Sequence, residues 1–358
     1  MWCSMKHSRL LALSAAAGAV LTSLPTGRLA AQAAERFQVS GDRVAVYNVA
    51  GVATLIAGTG SAVVVEVTRG GKDAARLKVE QGSIDGVATL RVLYPDDEIV
   101  YDPANAPWHG SSETRVRDDG TFGGGEGGRR VRIRSSGSGM EAWSDLRIAV
   151  PRGQRLNLHL AVGEMSVTNV NGALSLDGGA TKATTTGTSG SLSIDVGSGD
   201  VHVTNASGDV SVDTGSGDVW VDGAGDGDLS VDTGSGNVSL GRVGAATVRL
   251  DTGSGTIDGV QVTADNLSVD TGSGDVTISF DGTPRSLDVD TGSGAVALTF
   301  PTGYSATVDL ETSSGDLTVD FPLRINARER DRLRGVIGSG VGRLRVETGS
   351  GGIQIKQR

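Results

Sequence analysis

The pentapeptide Asp213-Thr-Gly-Ser-Gly217 and its copies are the residues of this chain whose types and spacing come nearest to a catalytic motif. Asp-Thr-Gly-Ser is how aspartic proteases present a reactive carboxylate, two of which share one proton because like charges so close cannot both ionise. That chemistry needs two loops facing each other from separate lobes or subunits. Here identical copies begin at Asp213, Asp232, Asp251, Asp270 and Asp290, at spacings of 19, 19, 19 and 20 residues, and related copies begin at Asp195, Glu311 and Glu347. A series of this kind predicts a column of carboxylates rather than a dyad.

The acidic residue of each copy follows an inward-facing valine, leucine or isoleucine and has outward parity. On stacked strands these carboxylates would lie about 5 Å apart, which costs around 1 kcal/mol per neighbouring pair even in water. Two devices could offset that cost. Each carboxylate could accept hydrogen bonds from the backbone amides of its own Gly-Ser-Gly turn, as Asx-turns do. Alternatively, cations such as Ca²⁺ could bridge the column Asp195, Asp213, Asp232, Asp251, Asp270, Asp290, Glu311 and Glu347, since carboxylates and turn carbonyls are the oxygen ligands Ca²⁺ prefers. The sixth motif position reads Asp200, Asp218, Asn237, Thr256, Asp275, Ala295, Asp316 and Gly352, and a required ligand would not become Ala. Cation binding here is therefore expected to be weak and diffuse, with no tightly held cofactor.

Two basic clusters stand out. In Arg130-Val-Arg-Ile-Arg134 the alternation sets Arg130, Arg132 and Arg134 on one strand face, and residues 324 to 334 hold five arginines among acids. Their expected roles are a solvated face, intramolecular ion pairs, or a patch for an anionic envelope polymer. Other catalytic constellations are missing from the sequence. After the leader only His109, His159 and His202 remain, no His-Glu-x-x-His pair occurs, and the serines sit in turn motifs rather than in a strand-to-helix elbow. The glycines from Gly123 to Gly128 precede a strand, not the helix that a phosphate loop requires.

The elements that position these residues follow from the repeat. Each copy is bracketed by alternating runs such as Leu229-Ser230-Val231 and Val238-Ser239-Leu240, and period 2 means strands. One such unit cannot bury its apolar face alone, but stacked copies can. The expected fold is all-β, a parallel β-solenoid of about 19-residue coils. Val, Leu and Ile would fill its narrow interior, leaving no room for aromatics, and the Thr of each motif would form an inward ladder hydrogen-bonded between coils. Of 358 residues, 55 are Gly and only 13 are aromatic, as many tight corners and a narrow core require.

Residues 34–150 lack the motif and read as an irregular N-terminal β segment with a long Gly/Ser-rich loop at about 103–128. Residues 151–358 read as the solenoid repeats, closed by a C-terminal capping coil. Residues 1–33 carry Lys6 and Arg9, an uncharged apolar run from Leu10 to Leu24, and a small-residue end at Ala31-Gln-Ala33. That is the pattern of a secretory signal peptide, with an apolar run too short to span a bilayer. The chain's one cysteine, Cys3, precedes that run, so the exported chain has no disulfide, thiolate metal site or cysteine nucleophile. It keeps 29 Lys and Arg against 42 Asp and Glu, a net −13, which argues against nucleic acid as a partner.

The segments Phe37 through Asn48-Val-Ala-Gly51, Leu146-Arg-Ile-Ala-Val-Pro-Arg-Gly153, Gly163-Glu-Met-Ser-Val167, the Gly-Ser-Gly-Asp-Val units and Gly349-Ser-Gly-Gly-Ile-Gln-Ile355 resemble a bacterial family of β-strand-repeat proteins. The family is catalogued as domain of unknown function 4097 and described as candidate adhesins. The resemblance implies an exported β-solenoid without a defined reaction. The function expected is that of a non-enzymatic structural or adhesin-like module of the bacterial envelope, periplasmic or at the surface, binding a surface polymer or a protein. A polysaccharide-active β-helix enzyme and an accessory of envelope-stress signalling are the alternatives.

Overall fold

The computed structural model describes residues 34–103, 108–123 and 127–358; the predicted leader, residues 1–33, lies outside them. Among the described residues the helical structure is a single 3-10 turn, Ala74–Arg76, and everything else that is regular is strand. No helix among them is long and apolar enough to cross a membrane.

The repeats stack in parallel and in register. On one wall Leu192 lies opposite Val210, Val210 opposite Leu229, Leu229 opposite Val248, Val248 opposite Leu267 and Leu267 opposite Leu287, offsets of 18 to 20 residues. A second wall runs through Val201, Val219, Val238, Ile257, Val276 and Val296 in the same way. Alternation sends these Val, Leu and Ile side chains inward, where they are 0–3% exposed. The result is an all-β, solenoid-like stack.

Between the walls the Gly-Ser-Gly corners approach each other closely. At Gly217, with φ of 149°, a Cβ would lie 2.2 Å from the carbonyl oxygen of Gly199, and at Gly274, with φ of 157°, 1.8 Å from that of Gly255. Any side chain there would collide with the coil below, so the glycines are required by contact as well as by φ.

Before the repeats, the strand Arg43–Ala57 lies parallel to Gln154–Thr168 along nearly its whole length, so part of the irregular N-terminal segment is itself a rung of the stack. Beyond it, Val87–Leu93 pairs with its first half and Trp143–Val150 with its second. Antiparallel strands then cover both: Lys78–Ile84 on the first, and Val63–Gly70 followed by Glu35–Val39 on the other. A separate four-stranded sheet holds Glu98–Val100, Ser111–Val116, Arg129–Arg134 and Met140–Glu141. The strand Ser111–Val116 falls inside the stretch expected to be loop. Its run is polar, which hid it; it forms because Arg129–Arg134 offers a full antiparallel partner.

At the other end the chain departs from sequence order, and the expected C-terminal capping coil is not the cap. Gly342–Thr348 inserts between Ser286–Thr291 and Ala306–Thr312, with Leu344 opposite both Leu287 and Val308. Ile353–Gln357 does the same on the second wall, between Val296–Phe300 and Leu317–Val319. The stack is capped instead by the hairpin Leu323–Arg328 and Arg332–Ile337, antiparallel to Ala306–Thr312. Equivalent motifs make either order compatible in register, so chain order does not decide the spatial one. Both walls at the N-terminal end and the first wall at the other end thus finish in antiparallel strands, a device that interrupts the parallel template an open end would offer, while the second wall closes on the short parallel strand Leu317–Val319.

Aromatics do enter the interior, contrary to expectation, but only near the caps. Phe280, Phe300 and Tyr304 stack face to face with centroids 4.9 and 3.9 Å apart. The buried Thr ladder is present at Thr214, Thr233, Thr252, Thr271, Thr291, Thr312 and Thr348. Its bonds run to backbone rather than from Thr to Thr: Thr252 donates to the Gly236 carbonyl at 3.2 Å, Thr348 to Gly294 at 3.0 Å and Thr312 to Gly351 at 2.9 Å.

Removing residues 339–358 strips the inner partner from two strands at once. Hydrogen exchange should then show the Thr307, Asp309 and Glu311 amides, which face the closing coil, falling from the most protected class to near-unprotected. Retained protection there would mean that the closing coil is not interleaved.

Candidate functional site

The stacking register assembles one continuous outward column. Asp195 faces Asp213, then Asp232, Asp251, Asp270 and Asp290 follow, and Glu347 comes next, ahead of Glu311 because of the interleaved end. All eight predicted residues therefore share one wall. The column is longer than the motif, since Asp177 precedes Asp195, with His159 and Tyr47 before it. These three carry no Gly-Ser-Gly, and the 18-residue offset from Asp195 back to Asp177 was the signal available for them.

Each end of the column is flanked by other side chains. At the start, His159 Nδ1 lies 3.3 Å from Asp177 Oδ2; its ring stacks on Tyr47 at 4.3 Å with Phe122 edge-on. Burial raises the Tyr47 hydroxyl above its ordinary range, so it stays a neutral partner. At the far end Arg332 binds Glu311 at 2.9 Å and clasps Asp309 with bonds of 2.9 and 2.7 Å. Arg345 joins Asp288 at 3.1 Å and also pairs with Glu347. The Arg332 guanidinium holds the Asp309 carboxyl below the usual carboxylate range, with Arg334 assisting.

Between those ends, Asp195, Asp213, Asp232, Asp251, Asp270 and Asp290 have no protein hydrogen-bond donor or ion-pair partner among the described residues. Contrary to expectation, these carboxylates do not cap their own turns. The sixth motif position supplies the bonds, and it does so across coils: Asp200 accepts from the Asp218 amide at 3.2 Å, Asp218 from Asn237 at 2.8 Å, Asn237 from Thr256 at 2.9 Å and Asp275 from Ala295 at 2.8 Å. Geometry dictates this division. The strand alternation turns the first-position carboxylate away from the corner amides, while the sixth position sits beside them. Ala295 is tolerated because it contributes only its backbone N–H.

The unpaired carboxylates repel one another. Partial burial, followed by the charges of Asp213 and Asp177, raises Asp195 above the ordinary aspartate range; burial, then Asp232 and Asp270, does the same for Asp251. Among the described residues no group of three or more His, Cys, Asp or Glu side chains is placed to hold a metal ion. The column can offer a line of negative charge at strand spacing, with serines beside it at 193, 211 and 230 in the same register.

Arg130, Arg132 and Arg134 do share one strand face, between two carboxylates. Arg130 and Arg132 reach Glu113 at 3.4 and 2.9 Å, and Arg132 and Arg134 reach Glu98 at 3.2 and 3.3 Å. On the second wall the outward His202 stacks on Trp220 of the next coil at 4.3 Å.

A family model described as Toastrack DUF4097 matches residues 144–356. Among solved structures, the chain is similar to a candidate cell adhesion protein from Clostridium sporogenes, at 9% identity over 91% of this chain and 99% of that one, with a TM-score of 0.20. It is also similar to a candidate adhesin from Parabacteroides merdae, at 11% identity over 91% and 95% of the two chains, with a TM-score of 0.35. No curated protein matches it.

The raised Asp251 carboxyl gives a signed prediction. The folded chain holds that proton more tightly than the unfolded one, so stability falls as pH climbs from the ordinary carboxylate range through the raised one. Asp251→Asn should therefore raise Tm at pH 7, by no more than about 1 kcal/mol of stability and less for solvent screening. In melts repeated down the pH scale the gain should vanish once both states are protonated. Equal gains at pH 7 and pH 3 would remove the repulsion.

Proposed function

The chain belongs to the Toastrack DUF4097 family, and on that premise we propose that it is an exported, non-enzymatic structural or adhesin-like β-solenoid of the bacterial cell envelope. Its coils of 18 to 20 residues carry two flat walls, and the wall bearing the acidic column binds a surface polymer or a protein. The single observation that carries this reading is the uninterrupted register of the column, in which Asp195, Asp213, Asp232, Asp251, Asp270 and Asp290 recur at strand spacing without internal partners. A line of like charges that the fold does not use for itself costs stability, and a partner with matching positive charge or bridging cations would recover it. Many weak, equally spaced contacts bind by avidity, which suits a repetitive ligand better than a small substrate. The leader read from residues 1–33 supports export.

A divalent cation such as Ca²⁺ fits this reading as a diffuse counterion held along the column, each ion shared by neighbouring carboxylates, rather than as a caged cofactor. Millimolar Ca²⁺ should raise Tm above that measured in chelator with NaCl at matched ionic strength. Equal melting temperatures would remove the cation from the proposal.

For the partner, the full chain and a variant carrying Asp213→Asn, Asp232→Asn, Asp251→Asn and Asp270→Asn are compared for retention on isolated envelope fractions. The wild type should be retained and released by high salt, and the variant, which folds at least as stably, should lose most of its retention. Equal retention of the two proteins would place the contact elsewhere on the molecule.

A further inference from the structure

We propose that a cleft at the N-terminal end of the molecule, remote in kind from the acidic column, binds a small amphipathic anion: a phosphate or carboxylate head on a short apolar group. The cleft has a volume of about 290 Å³, at the lower edge of small-molecule sites. Four chain segments converge on it: the 3-10 turn with Arg76 running into the strand Lys78–Ile84, residues 93–95, the turn after Ser111–Val116 with Arg117, and Arg129 at the start of its own strand. Its lining thus holds four cations and one carboxylate, Asp118, in a protein whose acidic residues outnumber its basic ones.

Three of the cations are held in place. Arg76 is clasped by Asp96 through bonds of 2.8 and 2.7 Å. Arg129 is bound by Asp97 and the Tyr94 carbonyl. Arg117 donates to Thr121 Oγ1 and to the Gly123 carbonyl, both at 3.2 Å. Lys78, by contrast, is exposed and has no ion pair among the described residues. The Arg76–Asp96 and Arg129–Asp97 pairs carry no net charge and act as fixed polar walls, and the Lys78 ammonium is the group left to make a direct charge-assisted bond to an incoming anion.

The rest of the lining explains why the ligand needs an apolar part. Leu93, Pro95 and the buried Val116 form a floor, closed by Gly120, whose φ is 83° and where a Cβ would stand 2.1 Å from Leu93 Cδ2. Burying a bare inorganic anion against such a floor would desolvate it without return. An anion with a short hydrocarbon or aromatic group satisfies both halves of the cleft.

Phenyl phosphate is the probe, titrated into the purified full chain and followed by calorimetry and by the ³¹P resonance. The expected result is saturable binding that weakens with added NaCl, at least several-fold weaker binding of inorganic phosphate, and at least tenfold weaker phenyl phosphate binding by Lys78→Glu. Lys356→Glu, which removes an equal charge from the opposite end of the chain, should leave the affinity within twofold. Lys78 is on the surface of an intact strand, so the Lys78→Glu melt should match wild type. Failure to saturate, equal affinity for inorganic phosphate, or equal losses in the two charge variants would each overturn the proposal. None of these results depends on retention by envelope material, so this cleft and the acidic wall fail or stand separately.

Discussion

The backbone ladder that joins each coil to the next in parallel is the interaction on which everything else in this protein depends. On the wall of the acidic column it places residue i over a residue 18 to 20 positions later through six successive coils. Each side chain is thereby set at strand spacing above its equivalent. An inward Val must sit on Val or Leu, a corner glycine must sit under a carbonyl that tolerates no Cβ, and an outward aspartate must face another aspartate. The first two consequences build the core and corners. The third is a cost that the same register imposes.

The fold manages that cost unevenly. Where bonds across the corner can be made, the sixth-position Asp and Asn make them and tie one coil to the next, as Asp218 does to Asn237. Where the carboxylate faces away from the corner nothing compensates it, and only the far end is neutralised, by Arg332 and Arg345, while His159 adjoins Asp177 at the start. Leaving the middle of the column unpaired while pairing its far end separates a structural role from an exposed one. The cationic groups follow the same logic. Arg130, Arg132 and Arg134 are consumed by Glu98 and Glu113, whereas Lys78 is left without a carboxylate beside three anchored arginines.

A parallel stack also has to end. Open parallel edges would pair with other chains, and here antiparallel strands drawn from segments that lack the motif cover both walls at one end, Val63–Gly70 and Lys78–Ile84, and the first wall at the other, the hairpin Leu323–Ile337; the second wall ends in a strand of only three residues, Leu317–Val319. Interleaving of the closing coil locks the second cap, because its strands pair with rungs on both sides. The aromatic residues collect near these caps, at Phe280, Phe300 and Tyr304 and at Tyr47 and Phe122, where the narrow repeat gives way to wider packing.

What the sequence alone determined is whatever repeats: the parallel stacking, the inward Val and Leu, the corner glycines and the outward column from Asp195 to Asp290. Period and parity are local properties that the ladder merely transmits, so they could be read without coordinates. The tertiary structure decided what does not repeat. It extended the column to Asp177 and His159, which keep the register but lack the motif, and it reversed the order of Glu347 and Glu311, because equivalent rungs stack equally well in either sequence. It also found the strand Ser111–Val116 in a polar stretch that only its partner makes regular, placed Glu98 and Glu113 against the arginine face, and gathered Arg76, Lys78, Arg117 and Arg129 around one cleft. Contacts of that kind join residues tens of positions apart at no fixed spacing, and no periodicity in the chain announces them.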